Sequence, residues 1–324
     1  MGAAALPSGL RALVIGSGKA GHEANATGVA EALGAPYEMR RVAPRGPFGR
    51  LAPYGPLDPR ERAKFLREPW PDIAIACGRA TVPALRAMKR ARGAKIFAVA
   101  LQDPRAWRGA FDLIWTPEHD RLRGANVITT LTSPHPISPP VLARWRASPD
   151  ARLAALPAPR AAVVLGGPSG EADYAPTDFE RLAQAVARLR SLGFSVMATP
   201  SRRTPPAMLA AARAGLGDGP GFVWDGAGDN PYAAMLALAD LVLVTGDSAN
   251  MVGEAAATGA PVYVFSPQLA GGGKIAAMVD ALARAGAARR YEGAFEPFRY
   301  APIDSSAAIA AEILRRFALP RQAR

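Results

Sequence analysis

Residues suited to bind an anionic ligand are concentrated between Thr245 and Glu254. A run of apolar residues typical of a buried strand ends at Thr245, and a polar turn with Asp247 and Ser248 precedes a short predicted helix. The free N–H groups and the dipole of a helix start favour a phosphate, and either side chain of the turn can cap the helix. Glu254 follows about two helical turns later, where a carboxylate can accept both hydroxyls of a ribose. The pattern predicts a nucleotide site, or else an ordinary strand–helix unit with an exposed glutamate.

Three further loops in the second half of the chain carry groups that suit a nucleotide. Glycines in residues 166–170 let the backbone approach a phosphate. Residues 201–205 hold an arginine pair suited to clamping a diphosphate, with Thr204 as the predicted cap and Pro205 as the first residue of a helix. Residues 225–232 would flank the base. Tight turns, a solvated arginine pair and a plain helix start are the alternatives. The predicted nucleotide-binding residues are Gly167, Ser169, Gly170, Ser201, Arg202, Arg203, Asn230, Tyr232, Asp247, Ser248, Ala249, Asn250 and Glu254.

A glycine-rich turn also follows the first predicted strand. Residues 16–21 have the spacing G-x-G-x-x-G, which is typical of dinucleotide binding. The acidic residue expected at the end of the next strand is replaced by Arg40 and Arg41, which favours NADP over NAD. His22 stands on the first turn of the following helix, where it is a candidate general base or a structural residue.

Acidic residues follow two other strands predicted in the first half. Asp103, Glu118 and Asp120 are candidates for a general base or for acceptor binding, and with His22 they form the predicted catalytic set. Consecutive Glu, His and Asp side chains cannot all face one metal from regular structure, so we predict no metal site. The sequence contains no Asp-x-Asp pair, which argues against a donor held by Mg²⁺.

Alternating strand and helix patterns must position these loops. Such βα units imply parallel sheets covered on both faces by helices, with ligands at the carboxyl ends of the strands. We therefore predict an α/β fold in which two doubly wound Rossmann-like domains face each other across a cleft. The predicted boundaries are 1–157 for an acceptor-side domain, 158–304 for a nucleotide-sugar-binding domain, and 305–324 for a helix that packs back on the first domain. The proline-rich residues 157–160 are the predicted linker.

The composition narrows the class of protein and its partners. The chain has 324 residues, 49% of them hydrophobic, with a net charge of +12 and one cysteine. Its apolar runs are too short to span a bilayer, and no run of Lys and Arg predicts nucleic-acid binding. The positive charge favours nucleotides, phosphorylated sugars or an anionic membrane surface as partners. We predict a cytoplasmic protein, peripheral at the inner face of the membrane.

Several motifs, in order along nearly the whole chain, resemble the mitochondrial-fission-protein-like family of GT-B-type glycosyltransferases from bacteria and plants. They are Gly18-Lys19-Ala20-Gly21-His22, Cys77-Gly78-Arg79-Ala80-Thr81, Gln102-Asp103-Pro104-Arg105, Pro117-Glu118-His119-Asp120, Gly166-Gly167-Pro168-Ser169-Gly170, Ser201-Arg202-Arg203-Thr204-Pro205, Asn230-Pro231-Tyr232 and Asp247-Ser248-Ala249-Asn250-Met251-Val252-Gly253-Glu254-Ala255. The chain departs from the family at Gly253, which is often Ser, and at residues 132–135, which replace a glycine-containing loop. The resemblance implies the GT-B fold, shared with the enzyme that adds N-acetylglucosamine to the peptidoglycan lipid precursor. A plant member is regarded as a membrane adaptor for a dynamin-related protein.

These observations predict a metal-independent glycosyltransferase of hexosyltransferase type. A nucleotide sugar would be the donor substrate with no further cofactor, and the acceptor would be lipid-linked or part of the cell envelope. Glu254 would bind the ribose, while N–H groups near Ser248 and the Arg202 guanidinium would stabilise the leaving diphosphate in place of a metal. The alternatives are a non-catalytic, membrane-associated adaptor with a GT-B fold and an NADP-dependent oxidoreductase.

Overall fold

The computed structural model describes residues 9–267 and 272–319, in which strands and helices alternate. The strands are β1 (Ala12–Gly16), β2 (Tyr37–Arg41), β3 (Ile73–Cys77), β4 (Phe97–Leu101), β5 (Leu113–Pro117), β6 (Val127–Thr130), β7 (Arg160–Leu165), β8 (Ser195–Pro200), β9 (Gly221–Val223), β10 (Leu241–Thr245), β11 (Val262–Phe265) and β12 (Arg289–Arg290). The helices are α1 (Ala20–Leu33), α2 (Pro47–Leu51), α3 (Arg62–Phe65), α4 (Val82–Arg92), α5 (Pro139–Ala147), α6 (Ala151–Ala154), α7 (Pro176–Ser191), α8 (Pro206–Leu216), α9 (Tyr232–Leu238), α10 (Ala249–Ala256), α11 (Lys274–Arg284) and α12 (Ser305–Phe317). No helix of these ranges has the length and apolar composition needed to cross a bilayer.

The strands form two parallel six-stranded sheets, which confirms the predicted α/β fold. The first sheet has the order β2-β1-β3-β4-β5-β6 and the second the order β12-β11-β10-β7-β8-β9. The central strands β1, β3 and β10 are buried along their whole length because helices cover both faces of each sheet. In the first sheet, Val14 and Val99 face a core that also contains residues of α1 and α12, while Leu13 and Ile15 face a second core beneath α4.

The chain divides into two compact units at a point earlier than the sequence predicts. The first unit runs to Pro136 and takes up the chain again at Asp304, and the second comprises Ile137–Ile303. The predicted boundary at residue 157 is wrong because α5 packs against α9 of the second unit, where the Arg146 guanidinium donates to the Ala237 carbonyl at 2.8 Å. The proline-rich residues 157–160 therefore connect α6 to β7 inside one unit.

The C-terminal helix α12 belongs to the first unit, where it packs against α1; residues 320–324 of that predicted segment lie outside the described residues. Two serines at its start fasten it to the loop after β6. The Ser306 hydroxyl accepts the His135 N–H and donates to the His135 carbonyl, both at 2.8 Å, and the hydroxyls of Ser305 and Thr132 lie 2.6 Å apart. On the other side of this loop, Gly28 of α1 leaves no room for a side chain, since a Cβ there would lie 2.3 Å from the His135 carbonyl carbon.

We expect Gly28→Ala to destabilise the first unit, although alanine ordinarily stabilises a helix interior by about 1 kcal/mol relative to glycine. The added methyl group would push the His135 loop away from α1, and overpacking of this kind costs about 1–3 kcal/mol. Urea denaturation of both proteins measures the difference in the free energy of unfolding. Gly109→Ala is the matched control, because no atom lies within 4 Å of a Cβ at that position. A stability of Gly28→Ala equal to or above that of the unmodified protein would contradict the packing described.

Candidate functional site

Three loops meet at the carboxyl edge of the second sheet. Residues 246–248 follow β10, residues 166–175 follow β7, and residues 201–205 follow β8. Because β10, β7 and β8 are neighbours in the sheet, the predicted phosphate-binding loops are brought side by side. We call them the three edge loops.

One carboxylate holds the three edge loops together. The Asp247 side chain is completely buried and accepts the Gly167 N–H at 3.0 Å, the Tyr174 hydroxyl at 3.1 Å and the Arg203 guanidinium at 2.7 Å. A buried carboxylate requires such partners because an uncompensated charge is strongly destabilising in the interior. Asp247 and Arg203 are therefore bound to each other in this arrangement, and their role as direct nucleotide ligands stays a prediction.

Glycines in the loop after β7 are required by packing between loops. A Cβ at Gly166 would lie 2.1 Å from the carboxylate oxygens of Asp247, and a Cβ at Gly167 would lie 2.0 Å from the Arg203 carbonyl oxygen. The Gly167 N–H also donates to Asp247, so in this arrangement it is not directed at a ligand, and its contact with a phosphate stays a prediction. At Gly170, by contrast, no atom lies within 4 Å of a Cβ.

Hydroxyl groups close the turns of the same edge. The Ser169 hydroxyl accepts the N–H groups of the two residues Glu171 and Ala172, both at 3.2 Å. The Thr204 hydroxyl accepts the Ser201 N–H at 2.8 Å and lies 2.8 Å from the Leu165 carbonyl oxygen, to which it can donate. Thr204 was predicted to cap α8, but it joins two edge loops instead.

The arginine pair after β8 divides into two roles. The Arg203 guanidinium faces inward and also donates to the carbonyl groups of Gly167 and Pro168 at 3.2 and 2.8 Å. Both arginines are exposed, and Arg203 is 43% exposed even while it makes these contacts. The helix that follows begins at Pro206 with Pro205 in the capping position, one residue later than predicted.

The start of α10 lies directly after the Asp247 turn. Ser248 is the capping residue, and its hydroxyl accepts the Met251 N–H at 3.5 Å. Ala249 and Asn250 form the first helical positions and are half-buried. N–H groups in the first turn of a helix attract an anion, so a phosphate at this helix start stays a prediction.

Further along α10, Glu254 is buried and its Oε2 accepts the hydroxyl hydrogen of Tyr232 from α9. The Tyr232 N–H is in turn bound by the Asn230 side-chain oxygen at 3.0 Å, so Asn230 shapes the start of α9. Burial raises the pKa of Glu254 to about 7, against the opposing effect of the Tyr232 hydroxyl. Burial, together with the neighbouring carboxylate, also raises the pKa of Tyr232. Glu254 is thus a buried carboxylate poised near neutrality, unlike the solvent-exposed glutamate of the alternative interpretation.

In the first unit, His22 lies on the first turn of α1. Its Nδ1 is 3.1 Å from the Ser17 hydroxyl, and its ring packs against Gly78, where a Cβ would lie 2.4 Å from the ring. Gly78 also has a φ of +86°, which favours glycine. Burial and then the Lys19 charge lower the pKa of His22, so the neutral imidazole that a general base requires predominates at neutral pH.

The three predicted catalytic acids lie on other strands. The Asp103 carboxylate accepts the Arg108 guanidinium at 2.9 and 2.6 Å, and this contact lowers the pKa of Asp103. Asp103 therefore binds groups of its own loop and is a weaker base than a free carboxylate, and its role as a general base or acceptor ligand stays a prediction. Glu118 is exposed after β5, and the Asp120 carboxylate accepts the Thr116 hydroxyl at 3.2 Å.

His22 is not grouped with these acids by the strand order of the first sheet. His22 lies after β1, whereas Asp103 lies after β4 and Glu118 directly follows β5. With about 4.8 Å between neighbouring strands, the ends of β1 and β4 are roughly 10 Å apart. No cluster of three His, Cys, Asp or Glu side chains suited to a metal occurs in the described ranges.

The glycine-rich turn after β1 is occupied by the side chain of Glu23. The Gly18 N–H donates to Glu23 Oε1 at 2.9 Å, and Arg41 binds both oxygens of that carboxylate at 2.8 and 2.9 Å. Arg40 is buried and holds Glu38 at 2.8 and 2.6 Å. Both arginines that favoured NADP are thus paired internally, and the oxidoreductase alternative loses the residues on which it rested.

Sequence reasoning missed three side chains that shape the second-sheet edge. Thr245 accepts the Gly166 N–H at 2.7 Å, Tyr174 binds Asp247, and the Glu171 carboxylate accepts the Ile275 N–H at the start of α11 at 2.9 Å. Thr245 could have been found as a polar residue ending a buried strand. Tyr174 and Glu171 lie in an irregular segment and act across long sequence separations, so no local pattern marks them.

A model of the family described as mitochondrial fission ELM1 matches residues 20–317. The chain belongs to this family. A curated relative, the mitochondrial fission protein ELM1 of Arabidopsis thaliana, is 30% identical over 275 residues, which cover 76% of this chain and 64% of the relative. The chain thus spans less than two thirds of the length of this plant relative.

Solved structures of other proteins share the fold of this ELM1-family chain. MurG of Acinetobacter baumannii is 16% identical with a TM-score of 0.50, covering 95% of this chain and 93% of its own. The UDP-GlcNAc 2-epimerase of Methanocaldococcus jannaschii in complex with UDP-GlcNAc and UDP is 11% identical with a TM-score of 0.52, covering 94% and 98%. The spinosyn forosaminyltransferase SpnP is 14% identical with a TM-score of 0.50, covering 96% and 95%. The fold is the two-domain Rossmann-like GT-B fold of glycosyltransferases and epimerases.

Replacement of Asp247 tests its role as the tie between the three edge loops. Asp247→Asn removes the buried carboxylate charge to which the Gly167 N–H, the Tyr174 hydroxyl and the 43% exposed Arg203 side chain donate, and hydrogen bonds to a charged group contribute about 1.5–3 kcal/mol. Chemical denaturation measures the loss in the free energy of unfolding. Asp280→Asn is the control, because Asp280 pairs with Arg290 at the surface, where an ion pair contributes about 0–1 kcal/mol. Equal effects of the two substitutions would contradict the assignment of Asp247.

Burial of Glu254 predicts a pH dependence of stability. Its pKa rises from 4.5 to about 7 on folding, so the folded state holds the proton more tightly. Its contribution to stability is therefore intact below pH 4.5 and is lost as the pH rises towards 7. Compared with Glu254→Gln, the unmodified protein should lose on the order of 2 kcal/mol more between pH 5 and pH 8. Glu292→Gln, at an exposed position, is the control, and parallel pH profiles for all three proteins would refute the burial effect.

Proposed function

We propose that this chain is a metal-independent glycosyltransferase of hexosyltransferase type that uses a nucleotide sugar as donor and needs no further cofactor. The observation that carries the proposal is the buried carboxylate of Glu254 on the same short helix whose first turn, at Ser248 and Ala249, offers free N–H groups. A nucleotide presents a ribose diol and a diphosphate, which are the chemical complements of these two features.

The second unit would bind the donor through α10 and its neighbours. Ionised Glu254 would accept the ribose hydroxyls, with Tyr232 fixing the carboxylate from α9. The N–H groups near Ser248 and Ala249 and the exposed Arg202 would hold the diphosphate. Asp247 and Arg203 would position this helix start without touching the ligand, because each is occupied by the other.

Chemistry would then require displacement of the nucleoside diphosphate. The bond between the anomeric carbon and the phosphate oxygen breaks, the acceptor hydroxyl oxygen bonds to that carbon, and the hydroxyl proton passes to His22. Its lowered pKa keeps the imidazole neutral and able to accept a proton. The helix N–H groups and Arg202 would stabilise the charge that develops on the diphosphate, which is the role that a metal ion has in other enzymes.

The acceptor would be bound by the first unit and would be a lipid-linked or cell-envelope glycan. The positive net charge of +12 suits phosphorylated substrates at an anionic surface. A location in the cytoplasm, at the inner face of the membrane, fits such an acceptor. UDP is the first nucleotide to test, because the epimerase of the same fold was solved with UDP-GlcNAc and UDP.

A membrane-associated adaptor without catalytic activity is the second candidate function. The name of the plant relative, a mitochondrial fission protein, favours it, as does the engagement of Asp103 in its own loop. An adaptor of this fold would not need to bind a nucleotide sugar, so donor binding separates the two functions.

Calorimetric titration with UDP, GDP, CMP and ADP tests the donor site. We expect one of them to bind, and to bind more tightly at pH 8 than at pH 6, because only ionised Glu254 can accept both ribose hydroxyls. Glu254→Gln should weaken that nucleotide by about 1–3 kcal/mol through lost charge-assisted hydrogen bonds. The exposed control Glu292→Gln should leave affinity unchanged.

Absence of binding by all four nucleotides, in protein shown to be folded by its cooperative thermal transition, would overturn the donor site and favour the adaptor. If the Glu254→Gln variant binds the nucleotide as tightly as the unmodified protein does, the chain has a nucleotide site to which Glu254 does not contribute.

A further inference from the structure

The long loop that follows β2, residues 43–61, encloses a cavity in the first unit. The cavity has a volume of about 320 Å³, and its wall includes the exposed arginines Arg45 and Arg60 together with Phe48. Ligand cavities in proteins start at about 300 Å³, so this one has room for a small molecule rather than for a single ion only. We call it the loop cavity.

One carboxylate fixes the two arginines beside each other. Asp58 accepts the Arg45 N–H at 3.1 Å through one oxygen and the Arg60 N–H at 3.0 Å through the other. Asp58 also lines the cavity but is only 3% exposed. The backbone of both arginines is therefore tied to a single side chain, and this contact brings the two residues to the same cavity.

The guanidinium groups of Arg45 and Arg60 are not used by the protein. In the part of the chain that the structure describes, neither group makes an ion pair or a hydrogen bond; both residues bind Asp58 through their backbone N–H groups. The other acid of the loop, Glu61, is bound by Lys64 at 3.2 Å. Asp58 offsets one of the two positive charges, so the wall of the loop cavity keeps a net positive charge.

Two arginines at one cavity suit a phosphate better than a carboxylate. A carboxylate has two oxygens, and a single guanidinium occupies both in the usual bidentate contact. A phosphate monoester has three terminal oxygens and a charge of about −1.5 to −2 at neutral pH, so it can accept from two guanidinium groups at once. The chemistry of the pair thus favours a phosphate group.

The rest of the wall is apolar. Phe48, Pro47 and Pro59 line the loop cavity beside the arginines, and their side chains neither donate nor accept hydrogen bonds. A carbon skeleton attached to the phosphate, such as a sugar ring or an acyl chain, can pack against these side chains. The cavity therefore fits a phosphorylated organic molecule.

The loop leaves the sheet beside the turn that carries His22. β2 pairs with β1 along its whole length, and the Val42 N–H donates to the Gly16 carbonyl at 2.9 Å, where the turn before His22 begins. Both loops therefore start at the carboxyl edge of the first sheet, the edge at which open α/β sheets bind their ligands.

We propose that the loop cavity binds the phosphate group of a phosphorylated molecule, with the guanidinium groups of Arg45 and Arg60 on the phosphate oxygens and Phe48 against the attached carbon skeleton. This binding deepens the proposed function, because it makes the acceptor a phosphorylated molecule held at the edge that carries His22. The statement about the acceptor rests on the proposed function, whereas the phosphate site itself does not.

Calorimetric titration of the full-length protein tests the site with two phosphate monoesters, glucose 6-phosphate and the short-chain lipid dihexanoyl phosphatidic acid. At least one should bind about tenfold or more tightly than its phosphate-free counterpart, glucose or dihexanoylglycerol, because charge-assisted hydrogen bonds to the phosphate are strong. Preference for the first probe identifies a sugar phosphate as the source of the group, and preference for the second identifies a lipid phosphate.

Arg45→Gln with Arg60→Gln should weaken that binding by about tenfold or more, since the charged donors are lost. The matched control is Arg50→Gln with Arg62→Gln, which removes the same charge from exposed positions outside the cavity wall and should bind as the unmodified protein does. Failure of both probes to bind, or equal effects of the two double substitutions, would overturn the proposal.

Chemical modification locates the phosphate without any substitution. Phenylglyoxal reacts with accessible guanidinium groups, and the bound probe should slow its reaction at Arg45 and Arg60 but not at Arg50 and Arg62, as measured by peptide mass spectrometry. Equal modification of the first pair with and without the probe would contradict the site.

Titration of the arginine double variant with UDP, GDP, CMP and ADP keeps the two proposals apart. Nucleotide binding should be unchanged in this variant, and phosphate binding should be unchanged in Glu254→Gln. Absence of nucleotide binding with phosphate binding intact would remove the donor site and support the loop cavity. Loss of nucleotide binding in the arginine variant would make the loop cavity part of the nucleotide site and would overturn a separate phosphate site.

Discussion

The carboxylate of Asp247 is the constraint on which the carboxyl edge of the second sheet depends. A buried charge can remain there only if its oxygens are saturated, and three separate loops supply the partners Gly167, Tyr174 and Arg203. Glycine at 166 and 167 and the contact of Arg203 with the carboxylate follow from that requirement. The groups left for a ligand are those that this arrangement does not use.

In both glycine-rich turns a carboxylate of the protein accepts a glycine N–H and pairs with an arginine. In the first unit Glu23 accepts the Gly18 N–H and binds Arg41, and in the second Asp247 accepts the Gly167 N–H and binds Arg203. In each case a carboxylate of the protein binds the N–H group and the arginine that could otherwise bind a phosphate. Glycine spacing alone therefore does not distinguish a loop that binds a nucleotide from one that binds its own acid.

The strands and the major helices could be predicted because their residues are set by burial on both faces of a sheet, as in β1, β4 and β10. The division at Pro136 could not, since it depends on α5 meeting α9, which no local pattern encodes. The contacts of the three edge loops could not be predicted either, because no local pattern encodes them. Serine, arginine and aspartate at a strand end are equally compatible with a ligand and with contacts across some eighty residues of chain, as for Gly167 and Asp247.

The return of α12 to the first unit makes that unit discontinuous in the chain. Its core needs Ile309 and Ile313 beside α1, and these are translated after the whole of the second unit. A ribosome making this protein therefore completes the later unit first, while the earlier one waits with the apolar face of α1 uncovered. The apolar face of α1 therefore stays exposed until α12 has been made, and exposed apolar surface of this kind favours aggregation of folding intermediates.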